Sequence, residues 1–276
     1  MVVAIMQHHL PQLMGILNIT HNSFFDGGKF TTIDAAIDRA AQMIKEGAQW
    51  LDVGGESSHP GAQAISEQQE LDRVLPVITA LKQRFETSIS IDTCKARIME
   101  EAISAGATMI NDIWALRQPG TLKVAAATTT MPICLMHMQG EPTTMQRNPT
   151  YENDDVVQAV NNFFVERIKA CEEAGIARNR IILDPGIGFG KTLPQNLQLL
   201  NRLNEFHKFN LPILIGVSRK TMIGQLLDKP AEERLFGSIG ATIVAVRHRI
   251  QIIRTHDVGP TYDALRVALA IEKETA

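Results

Sequence analysis

The chain alternates between two patterns of apolar residues. Short runs rich in β-branched residues are typical of buried strands, and longer stretches with apolar residues every three or four positions are typical of helices. Strands are predicted at 13–20, 50–54, 89–92, 109–113, 133–137, 181–184, 213–218 and 252–256. Helices are predicted at 32–47, 66–85, 95–107, 120–129, 151–175, 193–209, 232–249 and 260–274.

This order of elements predicts one α/β domain, a (β/α)8 TIM barrel. The eight strand–helix units follow one another without a low-complexity tract, and barrels often reach the length of this 276-residue chain undivided. We expect residues 1–12 to form an N-terminal extension and residues 13–276 to form the barrel. An open, doubly wound sheet is the alternative, because alternation alone does not require closure.

Polar side chains stand at the end of every predicted strand. They are Asn18, Asp52, Asp92, Asn111 with Asp112, His137, Asp184, Ser218 to Lys220, and Arg254 with His256. The carboxyl ends of all barrel strands meet on the face that carries the chemistry of barrel enzymes. One polar strand end is usually a cap or turn residue, but eight in succession predict a site on this face.

Three of these side chains suit a flat heterocycle. Asp92, Asn111 and Asp184 offer short carboxylates and an amide, and a carboxylate can accept two parallel N–H bonds from an aminopyrimidinone edge. For Asp184, which precedes Pro185 and Gly186, a role in a turn is an equally good interpretation.

A cationic group follows strands seven and eight, where barrels often bind phosphate. Arg219, Lys220, Arg254 and His256 favour an anionic ligand, and a helix beginning near Pro260 would add its N-terminal dipole. A structural ion pair of one of these residues with Asp257 is the alternative.

The stretch "DPGIGFGK" lacks the spacing of a P-loop. Its glycines predict a sharp turn close to a ligand, with Phe189 offering a ring for stacking. The histidines lack metal-ligand spacing, whereas a magnesium ion carried in on a pyrophosphate needs only one or two protein oxygens, which Asn18 could help to supply.

Composition narrows the class of protein further. The formal net charge of −3 without a basic run gives no electrostatic reason to expect nucleic acid or membrane as partner. Three widely spaced cysteines do not predict a disulfide framework. The N-terminus does not resemble a signal peptide, so we expect a cytoplasmic protein.

Nine ordered motifs resemble those of dihydropteroate synthase. They are "GILNIT", "DVGGES", "SIDT", "NDI", "LMHMQG", "LDPGIGFGK", "GVSRK", "IGQLL" and "IIRTHDV", and they run from about Leu13 to Val258. The resemblance implies a barrel, usually a homodimer. It also implies an enzyme that joins 6-hydroxymethyl-7,8-dihydropterin diphosphate to p-aminobenzoate and releases pyrophosphate, in folate biosynthesis.

The resemblance also assigns roles to residues of this sequence. It implies a pterin site of Asp92, Asn111, Met136, Asp184, Gly216 and Lys220. It implies a p-aminobenzoate pocket of Phe24, Phe25, Pro60, Phe189, Lys220 and Thr221. Pyrophosphate would meet Asn18, Ser58, His59, Arg254 and His256, with Asn18 a ligand of Mg²⁺, the expected cofactor. Residues expected to act in catalysis are Asn22, Ser58, His59, Lys220, Arg254 and His256.

Two loops depart from the family pattern. Asn22 and His59 stand where the family usually has Asp and Arg, and His21 replaces a proline. Histidine is a weaker permanent charge than arginine and lacks its bidentate fork. Because "SFFD" and "SHP" resemble sulfonamide-insensitive relatives, we expect an active enzyme with an altered p-aminobenzoate pocket and reduced sulfonamide affinity.

Other functions stay open at this point. A methyltetrahydrofolate-binding methyltransferase domain would keep the pterin acids but would not need the "SRK" and "RTHD" cations. A catalytically impaired pterin-binding protein would bind pterin without turnover. A phosphosugar lyase or isomerase would need a Lys or Glu base inside the barrel. The small residues Gly237, Gly240 and Ala241 suit helix contact in a dimer, and packing against the barrel explains them equally well.

Overall fold

The computed structural model describes residues 10–19, 32–56 and 64–274. Most of the predicted N-terminal extension, residues 1–9, lies outside these ranges, so the boundary at residue 12 stays a prediction. No helix within the described ranges is both long and apolar enough to cross a membrane.

Eight parallel strands in the described part of the chain form one sheet. They are β1 (Gln12–Asn18), β2 (Trp50–Gly54), β3 (Ser88–Asp92), β4 (Met109–Asp112), β5 (Ile133–Met136), β6 (Ile181–Asp184), β7 (Leu214–Gly216) and β8 (Ile252–Thr255). Their order is β6-β5-β4-β3-β2-β1-β8-β7. A parallel bridge between Leu183 and Ile213 brings the two outer strands together. The predicted barrel is confirmed, and the open sheet is excluded.

Nine α-helices of the described residues surround this sheet. They are α1 (Thr32–Lys45), α2 (Glu67–Arg84), α3 (Ala96–Ala105), α4 (Thr121–Ala127), α5 (Val156–Glu173), α6 (Leu193–Asn201), α7 (Thr221–Leu227), α8 (Leu235–Arg247) and α9 (Val258–Lys273). Gly106, with φ +118°, forms a left-handed C-cap after α3.

The structure corrects three features of the predicted elements. Five strands end one or two residues earlier than predicted, because the chain leaves the ladder there and enters the loops. The stretch 193–209 divides into α6 and a 3-10 segment, Leu203–Phe209, because Arg202 leaves helical geometry and pairs with Asp155 and Glu205. Helix α7 had not been predicted, since it is short and contains Gly224, a poor helix former.

The interior of the barrel is built in layers. Side chains alternate between the two faces of a strand, so every second residue points inward. Met14, Trp50, Met109, Cys134, Ile182, Leu214 and Ile252 form a buried cluster, which we call the barrel plug. Two positions further along six of these strands comes the next inward layer, which we call the mouth layer: Asp52, Asn111, Met136, Asp184, Gly216 and Arg254. The plug is therefore the apolar floor beneath a mostly polar mouth.

We expect Ile182→Ala to lower the free energy of unfolding by about 2–5 kcal/mol, because it removes a fully buried plug residue and leaves a cavity. Val165→Ala, at a position 56% exposed on α5, is the matched control and should stay within about 0.5 kcal/mol of the parent protein. Urea unfolding would measure both variants, and equal midpoints would contradict the assignment of a tightly packed plug.

Candidate active site

Asp52 is the central acceptor of the mouth layer. It is fully buried on β2, between Trp50 of the plug and the strand end. Its Oδ2 accepts a bond of 2.6 Å from Arg254 Nε, and its two oxygens lie 3.2 and 3.4 Å from Asn111 Nδ2. One carboxylate thus orients the amide of β4 and the guanidinium of β8.

Arg254 bridges two carboxylates. Its Nη2 donates to Asp92 Oδ2 at 2.8 Å, while its Nε binds Asp52. Burial alone would lower the pKa of Arg254. The two carboxylates outweigh this effect and raise the pKa above its usual range, so the residue stays charged. Burial and the neighbouring Asp52 raise the pKa of Asp92 to about 7, although Arg254 opposes that shift. Asp92 therefore exchanges a proton near neutral pH.

Asp184 and Lys220 form the opposite side of the mouth, after β6 and β7. Asp184 is buried, which raises its pKa, and its Oδ1 accepts from Gly186 N at 2.7 Å. Lys220 Nζ donates to the carbonyl of Ile187 and lies 4.5 Å from the centre of the Phe189 ring. Burial lowers the pKa of Lys220 to about 8; Asp184 opposes the shift and Arg254 adds to it. Lys220 is therefore mostly charged at neutral pH.

His256 follows β8 and is held by its neighbours. Its Nδ1 lies 3.0 Å from Ser218 Oγ, the same hydroxyl accepts from His256 N at 3.1 Å, and Arg39 Nη2 donates to its carbonyl at 2.6 Å. Burial and Arg254 lower the pKa of His256 to about 4. The imidazole is consequently neutral and offers hydrogen bonds rather than a charge.

The cationic group predicted from sequence contains one residue that serves a structural purpose. Both ends of the Arg219 guanidinium bind Asp257, at 2.7 and 2.8 Å, and its Nη1 donates to the carbonyls of Ala231 and Glu232. The alternative of an ion pair with Asp257 thus applies to Arg219. Lys220, Arg254 and His256 remain as the candidate anion ligands.

Asn18 fits the expectation of a hard-metal ligand. It ends β1 opposite Gly54, and a methyl group built at Gly54 would lie 3.6 Å from Asn18 Oδ1 and 3.5 Å from Asp92 Cβ. Its amide oxygen therefore lies beside the acidic mouth, as a Mg²⁺ ligand should. In the described ranges, no three His, Cys, Asp or Glu side chains are grouped as a metal site.

The remaining predicted ligands border the mouth at different depths. Met136 packs with Met138, Met145 and Phe189 in a small apolar cluster. Gly216 lies next to Arg254, whose Cβ would be 3.8 Å from a methyl group built there. Thr221, at the start of α7, is exposed at the rim. Residues Asn22, Phe24, Phe25, Ser58, His59 and Pro60 lie outside the described residues.

Asp52 is the residue to which the sequence analysis gave no role. The available signal was its position two residues after Trp50, since this register points it into the barrel beside Asn111 and Arg254.

A cavity of about 490 Å³ adjoins the mouth at Asp92 and is also lined by Lys95 and Trp114, among others.

The chain resembles one family of enzymes over nearly all its length. Residues 14–256 match the model of the family described as pterin binding enzyme. The chain is 52% identical over 260 residues to dihydropteroate synthase of Escherichia coli K12, covering 94% of this chain and 91% of the relative. It is 48% identical over 258 residues to the Haemophilus influenzae enzyme, covering 94% and 93%.

Solved structures agree with this match. The Yersinia pestis dihydropteroate synthase in a sulfonamide drug complex has a TM-score of 0.90 and 50% identity, covering 96% of this chain and 95% of that chain. The Xanthomonas albilineans enzyme with 4-aminobenzoic acid has a TM-score of 0.90 and 44% identity, covering 96% and 94%. With its carboxylates, amide and cations gathered at one barrel mouth, this chain belongs to the pterin binding enzyme family, and within it to the dihydropteroate synthases.

Proposed function

We propose that the protein condenses 6-hydroxymethyl-7,8-dihydropterin diphosphate with p-aminobenzoate, giving 7,8-dihydropteroate and pyrophosphate in folate biosynthesis. The observation that carries this proposal is the pair of strand-end acids, half-buried Asp92 and buried Asp184, with Arg254 between Asp92 and Asp52. Acids suit the donor edge of the pterin, and the adjacent cation suits the diphosphate.

The pterin site is proposed at Asp92, Asn111, Met136, Asp184, Gly216 and Lys220. Two acids and an amide offer acceptors and donors to the ring edge, while the Met136 cluster offers an apolar wall. The near-neutral pKa of Asp92 supports this role, because a carboxylic acid that gains or loses a proton easily can match either tautomer of the ring.

The p-aminobenzoate pocket is proposed at Phe189, Lys220 and Thr221, with Phe24, Phe25 and Pro60 from the loops. The ammonium of Lys220 over the Phe189 ring supports this assignment, since it sets a cation beside an aromatic wall. Such a wall suits an aromatic anion.

Pyrophosphate is proposed to leave toward Asn18, Arg254 and His256, aided by Ser58 and His59. A magnesium ion, when bound with the diphosphate, neutralises charge on the leaving group, and Asn18 Oδ1 is the proposed protein ligand. Arg254 stabilises the charge that develops on the departing oxygen, and His256 donates a hydrogen bond to it. These groups, with Asn22 and Lys220, are the proposed catalytic residues.

The amine attacks without a strong base in this scheme. The C–O bond to the diphosphate breaks with its electron pair, a C–N bond forms from the amine lone pair, and one amine proton is released. Burial raises the pKa of the Cys94 thiol, two residues after Asp92, to about 12, and burial also raises the pKa of Cys134 beneath the mouth, so neither thiol is an activated nucleophile. Positioning and electrostatics therefore supply the catalysis.

A homodimer is proposed through the outer faces of α8 and α9. Large apolar side chains are exposed there, including Phe236 at 80% and Ile271 at 72%. Gly240 faces open space, which suits contact with a second chain, whereas Gly237 packs against Ile223 and Leu227 of its own chain. A cytoplasmic location is likewise proposed, and the free state of all three cysteines supports it.

The first experiment follows pyrophosphate release with Mg²⁺ and both substrates, with the product identified by mass. Formation of dihydropteroate would establish the proposed reaction. Tight pterin binding without product would favour the impaired pterin-binding protein instead. Cobalamin-dependent methyl transfer would favour the methyltransferase domain.

We expect Asp52→Asn to lower kcat/KM by about a hundredfold, because misplacing the guanidinium of Arg254 by a fraction of its length weakens stabilisation of the leaving group. Asp263→Asn, at an exposed position of α9, is the matched control. Steady-state kinetics would compare the two, and unchanged activity in Asp52→Asn would show that Arg254 does not depend on this partner.

We expect kcat/KM to fall as the pH rises through about 8, because Lys220 loses its proton there and with it the charge that faces Asp184. In Lys220→Arg the falling limb should move to higher pH, since arginine stays charged. A pH profile of both proteins tests this, and coincident falling limbs would assign the ionisation to another group.

We expect sulfamethoxazole to inhibit the parent protein about tenfold more weakly than the double variant Asn22→Asp/His59→Arg, because the variant restores the fork and the carboxylate typical of the family. Inhibition constants measured against p-aminobenzoate test this. Equal inhibition of the two proteins would mean that these loop residues do not set drug affinity.

A further inference from the structure

A fully enclosed lysine near the mouth has no part in the proposed chemistry. Lys191, 3% exposed, ends the "DPGIGFGK" stretch. Its Nζ lies 2.9 Å from each of three acceptors, the carbonyl oxygens of Gly186 and Phe189 and the Nδ1 of His137. An ammonium group has three N–H donors, so each donor has one close acceptor.

The loop around Lys191 lacks conformational stiffness of its own. Gly186, Gly188 and Gly190 all have positive φ, at +69°, +84° and +65°. A methyl group built at Gly186 would lie 1.9 Å from the carbonyl oxygen of His137, so the loop approaches the chain after β5 with bare backbone. Glycine allows this path but loses more entropy on ordering than any other residue. External contacts must hold the loop in place.

Lys191 joins two parts of this loop to the neighbouring strand end, while Asn196 holds the loop from the other side at Gly188 N. Lys191 links the beginning of the loop at Gly186, its end at Phe189, and the neighbouring strand end at His137. Tyr151 and Gln146 each bind a single carbonyl, at Gly190 and Gly188. Between the two carbonyls that Lys191 holds lie Ile187, whose oxygen accepts from Lys220, and Gly188.

We propose that Lys191 is a positioning residue for the p-aminobenzoate pocket, which fixes the ring of Phe189 and the ammonium of Lys220 by closing the glycine loop around its own ammonium group. This inference rests on the proposed function. Lys191 acts through the loop and does not touch the substrate.

The ammonium form of Lys191 gives each of its three close acceptors a donor of its own. A neutral amine would donate to the two carbonyls and would accept from Nδ1 of His137 in the tautomer that carries its proton there. Burial lowers the pKa of Lys191 well below its usual value, and Asp184 opposes that shift. Burial and the charge of Lys191 also lower the pKa of His137, so the imidazole is neutral, and in the tautomer with its proton on Nε2 the Nδ1 accepts from Lys191.

The effect should be selective between the two substrates. Asp92 and Asn111 lie on β3 and β4 and are held by Arg254 and Asp52, so this part of the pterin site would survive loosening of the loop. Asp184 contacts the loop only through Gly186 N, a bond at the first residue after Pro185. Phe189 belongs to the loop itself, and Lys220 is held by its Ile187 carbonyl. Loss of Lys191 should therefore affect p-aminobenzoate more than the dihydropterin diphosphate.

The test is a double-mutant cycle of Lys191→Met and Phe189→Ala in the full-length protein. We expect Lys191→Met to raise KM for p-aminobenzoate by about tenfold and KM for the pterin diphosphate by less than about threefold. If Lys191 acts through Phe189, the double variant should be within about twofold of Phe189→Ala alone. Lys169→Met, at an exposed position paired with Glu173, is the control and should match the parent protein.

Equal changes in both KM values, or effects of the two substitutions that multiply independently, would overturn the proposal and leave Lys191 a purely structural residue. If Lys191→Met does not fold, as judged by circular dichroism, Lys191→Gln retains two donors and is put through the same cycle with the same criteria. Turnover by the parent protein is measured beside the variants, so failure of the proposed reaction is distinguished from failure of this inference.

Discussion

The ion pair between Asp52 and Arg254 is the interaction on which the barrel mouth depends. A buried carboxylate is costly unless it is paired and hydrogen-bonded, and Asp52 meets this requirement with Arg254 and Asn111. The same contact directs the rest of Arg254 toward Asp92. The pair of Asp52 and Arg254 thereby fixes side chains from β2, β3, β4 and β8 relative to one another. Removing either Asp52 or Arg254 would misplace the side chains that it holds and would leave its partner's charge without a counter-charge.

The charges of the mouth explain why Asp92 titrates unusually. Burial raises the pKa of Asp92 to about 7, the charge of Asp52 adds to this shift, and Arg254 opposes it. Arg254 is shared between Asp52 and Asp92, so neither carboxylate has this cation to itself. The mouth is thus matched to a ligand that brings hydrogen-bond donors on one side and negative charge on the other, as a pterin diphosphate does.

Sequence alone predicted the barrel, because short apolar runs alternate with helical stretches eight times along the chain. It placed Asp92, Asn111, Asp184, Lys220 and Arg254 on one face, because the carboxyl ends of all barrel strands meet there. It could not separate Arg219 from Arg254, since the difference lies in Asp257, which captures the former. The contacts of Lys191 could not be predicted either, because its acceptors are mostly backbone carbonyls whose positions depend on the tertiary fold. Helix α7 was not predicted, because it is short and contains Gly224, a poor helix former.

The way the barrel closes has a mechanical consequence. Neighbouring strands elsewhere in the sheet share three to five paired positions, whereas β6 and the segment before β7 share the bridge between Leu183 and Ile213. Lys220 spans this weak seam, since it follows β7 and binds the carbonyl of Ile187 after β6. The Lys220 side chain therefore joins two edges of the barrel that share little backbone hydrogen bonding. The two edges can part by breaking few bonds, which makes the seam the most compliant point of the ring and sets it directly between the two proposed substrate pockets.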